Sequence, residues 1–313
     1  MQASPSLAQT GSTTRVAPPA PRRAGPYHLG PLVGRGGLSD VYAVEQVTDG
    51  QQAVLKLVRH LRAGEEATLS IYHSEVGALQ AMEHPGVIPL LDHGITDEGR
   101  PFLVLPRLTP LSLRTLIGRT WRGAAKRRGL AVRHRLLPAL IELTHAVEHA
   151  HVRGWLHRDL KPSNVLVDQQ GSLQLIDWGV AVRRSSPERQ EQSLALEPED
   201  RWARYGGTPG YMAPEQVLRR PSAQDERSDV WSLGAILFEM VVGQRLVAGA
   251  ETWDLLDATV DGRFVEPTSV DPVVAPFLPL ALQACAVDPG ERPRTIAAFR
   301  EGVYEAMGRA AVA

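Results

Sequence analysis

The run His157-Arg158-Asp159-Leu160-Lys161-Pro162-Ser163-Asn164 decides how this chain of 313 residues folds. It lies in a loop-rich stretch, 154 to 180, that follows a long amphipathic helix expected from Arg133 to Arg153. Leu136, Leu140, Leu143 and Val147 share one face of that helix. Asp177-Trp178-Gly179 closes the stretch, and Ala213-Pro214-Glu215 closes a second one, 183 to 215. Beyond them, Asp229 to Val242 is apolar almost all round, the pattern of a buried helix. Residues 272 to 306 read as helix broken by prolines.

Upstream the character changes. From Tyr27 to about Leu108, short apolar runs alternate with Gly and Asp. Leu29–Val33, Val41–Gln46, Ala53–Val58, Val87–Asp92 and Phe102–Leu105 are expected strands. One helix interrupts them, Ala67 to Met82, with Ile71, Val76, Leu79 and Met82 at helical spacing and His84-Pro85 after it. Between the first two strands lies Gly34-Arg35-Gly36-Gly37-Leu38-Ser39-Asp40-Val41. Glycines there let backbone N–H groups approach phosphates, because no Cβ intervenes. The next strand carries Ala53-Val54-Leu55-Lys56. A lysine in an apolar strand needs a partner, since burying its charge alone is costly, and Glu75 on the helix is the candidate. The chain is thus a small β-rich part followed by a larger helical part. Residues 1 to 25, rich in Ser, Thr, Ala and Pro, cannot bury enough apolar surface to offset ordering entropy and are expected to be a disordered tail.

Composition narrows the classes. Of the 34 basic residues only Lys56, Lys126 and Lys161 are lysines. Lysine is a compact point charge and arginine a wide planar fork, so a retained lysine marks a place where the fork does not serve. Lys126 falls in the basic stretch Trp121 to Gly129, expected to be a solvated loop. A net charge of -1 gives no global attraction to nucleic acid or to an anionic membrane. The single cysteine, Cys285, excludes an intramolecular disulfide and a cysteine-rich zinc site, reads as a core residue, and fits a reducing cytoplasm. No apolar run reaches the roughly 18 residues of a membrane span. The best candidate, Val230 to Val242, is broken by Ser232 and Glu239, and no signal pattern opens the chain. His145 and His149 have metal-pair spacing but no third ligand in sight.

Taken in order, the glycine loop, Lys56, Glu75, the run from His157 to Asn164, Asp177-Trp178-Gly179 and Ala213-Pro214-Glu215 resemble the protein kinase superfamily, and within it the bacterial Hanks-type serine/threonine kinases. Asp229-Val230-Trp231-Ser232-Leu233-Gly234 is similar to that family's buried F helix, and Arg292 to the late arginine that pairs with Glu215. The resemblance covers about residues 27 to 305. It implies an α+β, two-lobed fold: an N-lobe over 26–106, an antiparallel sheet with one main helix, and a mostly helical C-lobe over 107–313.

It also implies an ATP-dependent enzyme that phosphorylates Ser or Thr of protein substrates and itself, with Mg²⁺ or Mn²⁺. By resemblance, Lys56 holds the α- and β-phosphates and is oriented by Glu75. Asp177 and Asn164 hold the metal, Asp159 takes or orients the acceptor proton, and Lys161 neutralises the transferring phosphoryl group. Thr208 braces Asp159 and Lys161; with Lys161 it resembles the Ser/Thr branch. Val33, Gly34, Gly36, Gly37, Val41 and Val54 would cover the nucleotide, Leu105, Pro106 and Leu108 would form its hinge, and Leu166 would lie beneath it. His157 would pack in a spine with Leu79, Leu90 and Trp178, and Arg158 would bind charge on the activation segment.

The chain departs from the family pattern at Ser39, in place of a third glycine, and at Trp178, in place of phenylalanine. It departs again at Val54, in place of alanine over the adenine, and at Pro106, where only a carbonyl is needed. The segment Asp177 to Glu215 offers Ser185, Ser186, Ser193 and Thr208 as phosphate sites. Glu197, Glu199 and Asp200 either stand in for a phosphothreonine against Arg158 or form a solvated acidic loop. The alternatives are a pseudokinase or weakly active scaffold of the same fold, set second by the presence of Lys56, Glu75, Asp159, Asn164 and Asp177, and a small-molecule kinase, which Thr208 and the Ala213-Pro214-Glu215 segment disfavour. The sequence leaves dimerisation open.

Overall fold

A computed structural model of the chain describes residues 23–36, 38–45, 52–59, 65–108, 111–123, 128–167, 172–184 and 206–312. Residues 1–22, Gly37, Lys126, Ser185, Ser186, Ser193, Glu197, Glu199 and Asp200 lie outside the described residues.

Alternation builds the first part. The strands β1 (Arg23–Ala24), β2 (Tyr27–Arg35), β3 (Ser39–Glu45), β4 (Gln52–Val58), β5 (Asp92–Ile95) and β6 (Pro101–Pro106) form one antiparallel sheet in the order β1-β2-β3-β4-β6-β5. Side chains along a strand alternate between faces. On β4, Ala53, Leu55 and Leu57 are fully buried in a core with Tyr42, Val44, Phe102 and Val104. Each buried leucine contributes about 1.5–3 kcal/mol. Val54 and Lys56 therefore project from the opposite face, where the register sets them against Leu105 and Leu103 of β6. A one-residue slip would put the lysine into the apolar core.

Helix α1 (Glu65–Ala81) packs on that second face. Tyr72, Val76 and Leu79 are buried, and so is Met82 just past its end. Ile71, expected in that set, is half-buried, and Tyr72 takes its place. The strand expected at Val87–Asp92 is a correction. Val87 makes one isolated bridge, to Leu175, and the strand is Asp92–Ile95. Pro89 removes a ladder donor within the expected span, and Pro85 lies just before it.

The second part is helical: α2 (Leu113–Arg122), α3 (Leu137–Val152), α4 (Glu226–Val242), α5 (Thr252–Asp261), α6 (Leu278–Ala284) and α7 (Ile296–Val312). Helix α2 was not expected; Ser112 caps it, its Oγ accepting from Thr115 N at 3.2 Å. The stretch from Trp121 is accordingly not all loop: Trp121 and Arg122 end α2, and Gly129 lies in the one-turn helix Arg128–Ala131. Helix α3 starts later than expected, after a π-helical turn over Val132–Leu136. Its Leu140, Leu143 and Val147 are fully buried. Helix α4 is buried continuously from Ser228 to Val242 and packs on α6. At their crossing a Cβ on Gly234 would lie 2.6 Å from Ala284 Cβ and 2.8 Å from Cys285 Sγ, so only glycine fits. Short pairs β8 (Val165–Val167) with β9 (Leu173–Leu175), and β7 (Trp155–Leu156) with β10 (Val182–Arg183), frame the loop His157–Asn164. Among the described residues no helix is long and apolar enough to cross a membrane.

Candidate active site

Lys56, held on β4 by the alternation, reaches across to α1. Its Nζ donates to both carboxylate oxygens of Glu75, at 2.8 and 2.9 Å, and to Asp177 Oδ1 at 3.0 Å. Burial alone would lower the lysine pKa, but the charges of Asp177 and Glu75 outweigh it and hold it well above the ordinary value. The Lys56 charge in turn holds the Asp177 carboxyl down at about 2. Lys56 and Asp177 stay ionised at neutral pH, while burial, opposed by the Lys56 charge, raises the Glu75 carboxyl above its ordinary value. A cavity of about 200 Å³ opens beside them, lined also by Gly36, Ser39, Tyr72 and Gly179. Ser74, next to Glu75, donates to the carbonyl of Ala181 at 2.6 Å and ties α1 to the segment that carries Asp177.

A second cluster lies on the loop from His157. Thr208 Oγ1 donates to Asp159 Oδ1 at 2.6 Å and accepts from Lys161 Nζ at 2.7 Å, while Lys161 also donates to Asp159 Oδ2 at 2.7 Å. Asn164 Nδ2 donates to the Asp159 carbonyl at 3.0 Å and to its Oδ2 at 3.2 Å. The amide nitrogen is thereby spent, which leaves the Asn164 carbonyl oxygen as an acceptor.

Asp229 shapes this loop from below. It is a fully buried carboxylate in an apolar helix, and such a charge must be compensated. It accepts from the backbone N–H of His157 at 2.9 Å and of Arg158 at 2.8 Å, and His151 Nε2 lies 2.7 Å away. Gln216 Nε2 donates to the Arg158 carbonyl at 2.8 Å. These contacts hold Arg158 at φ 67°, and Asp177 adopts φ 64°. Such left-handed backbone costs about 1–3 kcal/mol per residue and persists where the surroundings over-determine it. Gly206, at φ 61°, lies against the Arg158 guanidinium, where a Cβ would come within 2.6 Å.

His157 is fully buried, and its ring packs on Trp178 at 4.6 Å between centroids. Leu79 and Leu90 belong to the same core. The Trp178 indole fills this space, but its N–H has no partner among the described residues. Glu215 and Arg292 form a buried bidentate pair, at 2.8 and 2.9 Å, with Ser228 Oγ donating to Glu215 at 2.7 Å.

The residues expected at the nucleoside end are placed by the sheet. Gly34 pairs with Val41, Val54 with Leu105, and Pro106 ends β6 opposite Ala53. Val33 is half exposed, Leu108 packs on the main core, and Leu166 sits on β8 bridged to Ser112. None of these lines the cavity beside Lys56; of the glycine-loop run, Gly36, Leu38 and Ser39 do. His149 packs on His84 at 5.0 Å, and the described residues hold no group of three or more His, Cys, Asp or Glu suited to a metal.

The donors Asp177 and Asn164 do suit a hard divalent cation bound jointly with phosphates. Mg²⁺ prefers oxygen ligands and usually takes only one or two from protein. Asp177 stays ionised, and the Asn164 oxygen is oriented by the use of its nitrogen.

Sequence reading did not find Asp229, His151, Gln216 or Ser74 as parts of this arrangement. An acid inside an apolar helix signals Asp229. For Ser74 and Gln216 the sequence carries no signal, because their partners are remote in the chain.

The chain matches the family described as protein kinase domain over residues 27–300. It is 32% identical over 253 residues to the DNA damage-responsive serine/threonine-protein kinase RqkA of Deinococcus radiodurans, covering 80% of this chain and 35% of that one. It is 28% identical over 284 residues to the serine/threonine-protein kinase pkn3 of Myxococcus xanthus, covering 88% and 48%. It is 26% identical over 293 residues to the serine/threonine-protein kinase PknD of Chlamydia trachomatis, covering 88% and 31%. The chain thus spans 31–48% of the length of these curated relatives.

Proposed function

The chain belongs to the protein kinase family, and from that premise we propose that it transfers the γ-phosphoryl group of ATP to serine or threonine hydroxyls of protein substrates. The observation that carries this reading is the Thr208 hydroxyl, shared between Asp159 and Lys161. It fixes a carboxylate and an ammonium side by side, as an acceptor hydroxyl and a transferring phosphoryl group require.

Phosphoryl transfer is mostly positioning and charge neutralisation. Lys56, locked by Glu75 and permanently charged, holds the α- and β-phosphates. The acceptor oxygen bonds to the γ-phosphorus as the bond to the β-phosphate oxygen breaks. Asp159 orients the acceptor hydroxyl and takes its proton, while Lys161 offsets charge on the moving group. Magnesium, held by Asp177 and Asn164, would supply further neutralisation of the phosphate oxygens; manganese suits the same oxygen donors. Adenine would lie between Val54 and Leu166, beside the carbonyl of Pro106. We place the boundary between the lobes after Pro106 and the reaction in the reducing cytoplasm that one buried thiol suits.

Phosphoamino acid analysis tests this. After incubation with labelled ATP, Mg²⁺ and a generic protein, label should appear on serine or threonine. ATP hydrolysis without protein label would point to water or a small acceptor. No label, no hydrolysis and no thermal shift with ATP and Mg²⁺ would point to a scaffold.

A further inference from the structure

Tyr211 follows Thr208 by one turn, its N–H donating to the Thr208 carbonyl at 3.0 Å. Its side chain is buried, and its hydroxyl donates to Glu239. Two guanidinium groups flank the ring, Arg114 and Arg245, each 5.8 Å from its centroid. Arg114 spends its charge inward, donating to Glu239 at 3.3 Å and to the Tyr211 hydroxyl. Arg245 differs: it is exposed, and among the described residues no carboxylate pairs with it. Its stem runs along Gly210, where a Cβ would meet Arg245 Cδ at 3.9 Å. Gly210 is two residues from Thr208, so their Cα atoms are at most about 7.6 Å apart. A protein segment presenting its hydroxyl to Asp159 must pass this ledge. Among the described residues the acid in contact with Tyr211 is Glu239, which is buried and already matched by Arg114 and the Tyr211 hydroxyl. Ser163, exposed on the catalytic loop, adds no charge. Among the described residues the ledge therefore carries one positive charge that no carboxylate matches, held in place on an aromatic face.

We propose that Arg245 sets acceptor specificity, selecting protein segments that carry Asp or Glu beside the serine or threonine to be modified. This rests on the kinase reading and adds a substrate class to it. Complementary charge raises encounter and fixes register, and it is screened by salt.

The test uses the full chain and three fluorescent peptides, each with one serine flanked by Glu, by Gln or by Lys. Binding is read by anisotropy, and phosphotransfer is measured separately. The Glu peptide should bind about fivefold tighter than the Gln peptide, with the Lys peptide weaker still, an effect in keeping with one or two partly exposed charge pairs. High salt should shrink the difference. Arg245→Ala should level the three peptides, and Arg245→Glu should invert the order. A structural role for Arg245 would not reverse the sign. The proposal is overturned if the wild-type chain prefers the Lys peptide or shows no preference, or if Arg245→Glu keeps the preference for Glu. Because anisotropy needs no turnover, the two readings separate. Charge-selective binding without phosphotransfer would sink the kinase reading alone. Phosphotransfer to all three peptides without selectivity would sink this one alone.

Discussion

At the residue scale, two of the three lysines stand where a compact ammonium is needed. Lys56 Nζ fits among three carboxylate oxygens at 2.8, 2.9 and 3.0 Å. A guanidinium keeps the charge but cannot place one nitrogen at all three and still meet phosphate oxygens. Lys56→Arg should keep its thermal midpoint and lose about 100-fold or more in phosphotransfer rate, comparable to deleting a transition-state donor. Lys161 shares Thr208 with Asp159, and the hydroxyl there is both donor and acceptor. Thr208→Ala should lower kcat about 10- to 100-fold through misplacement of Asp159, with little change in the KM for ATP. Thr208→Ser keeps the hydroxyl and should recover most of the rate; a serine variant as poor as the alanine one would rule out the bridge.

At the scale of elements, the loop from His157 to Asn164 is only as well placed as the helices beneath it. Glu215 and Arg292 have side chains 5% and 0% exposed, and Arg292 ties the segment after Thr208 to the start of α4 through Glu215 and the Arg227 carbonyl. Arg292→Ala leaves a buried carboxylate unmatched and should cost about 3–5 kcal/mol in urea unfolding. Burial also holds the His157 imidazole below its ordinary 6.5. The unfolded chain therefore takes up that proton first as pH falls. The stability tied to neutral His157 is complete above about 6.5 and drains away below it. His157→Phe should flatten the loss of stability between about pH 6.5 and 5, while His84 and His149, also held low by burial, keep part of the slope. Legibility varied among elements for physical reasons. Period two in β4 and the cost of a lone buried lysine pointed to the Lys56–Glu75 pair. Helix α2 was missed although Ser112 marks its start, and Val87–Asp92 was misread because its apolar run contains Pro89. Ser74 with Ala181 could not be read at all, since the partners are 107 positions apart. Thr208 was reachable only through the resemblance.

At the scale of the molecule, sheet and helices bring two charged clusters together, and Asp177 links them. One carries Lys56 and Glu75 from the sheet part; the other carries Asp159, Lys161, Asn164 and Thr208 from the helical part. The division into a β-rich and a helical part was legible because hydrophobic period changes near Leu108. The way the parts are joined, through Asp229 beneath the loop from His157 and Ser74 behind the segment that carries Asp177, depends on tertiary contacts that no local pattern encodes. The central claim is that this arrangement moves a phosphoryl group to a protein hydroxyl with Asp159 receiving the proton. It is tested most directly by the initial rate of label transfer from γ-labelled ATP to a serine-containing protein, for the wild-type chain and for Asp159→Asn. Asn keeps the shape and an acceptor oxygen but cannot take the proton. The account predicts clear transfer by the wild type and a rate at least about 100-fold lower for the variant, at an unchanged ATP-induced thermal shift. Equal rates for the two proteins would contradict it.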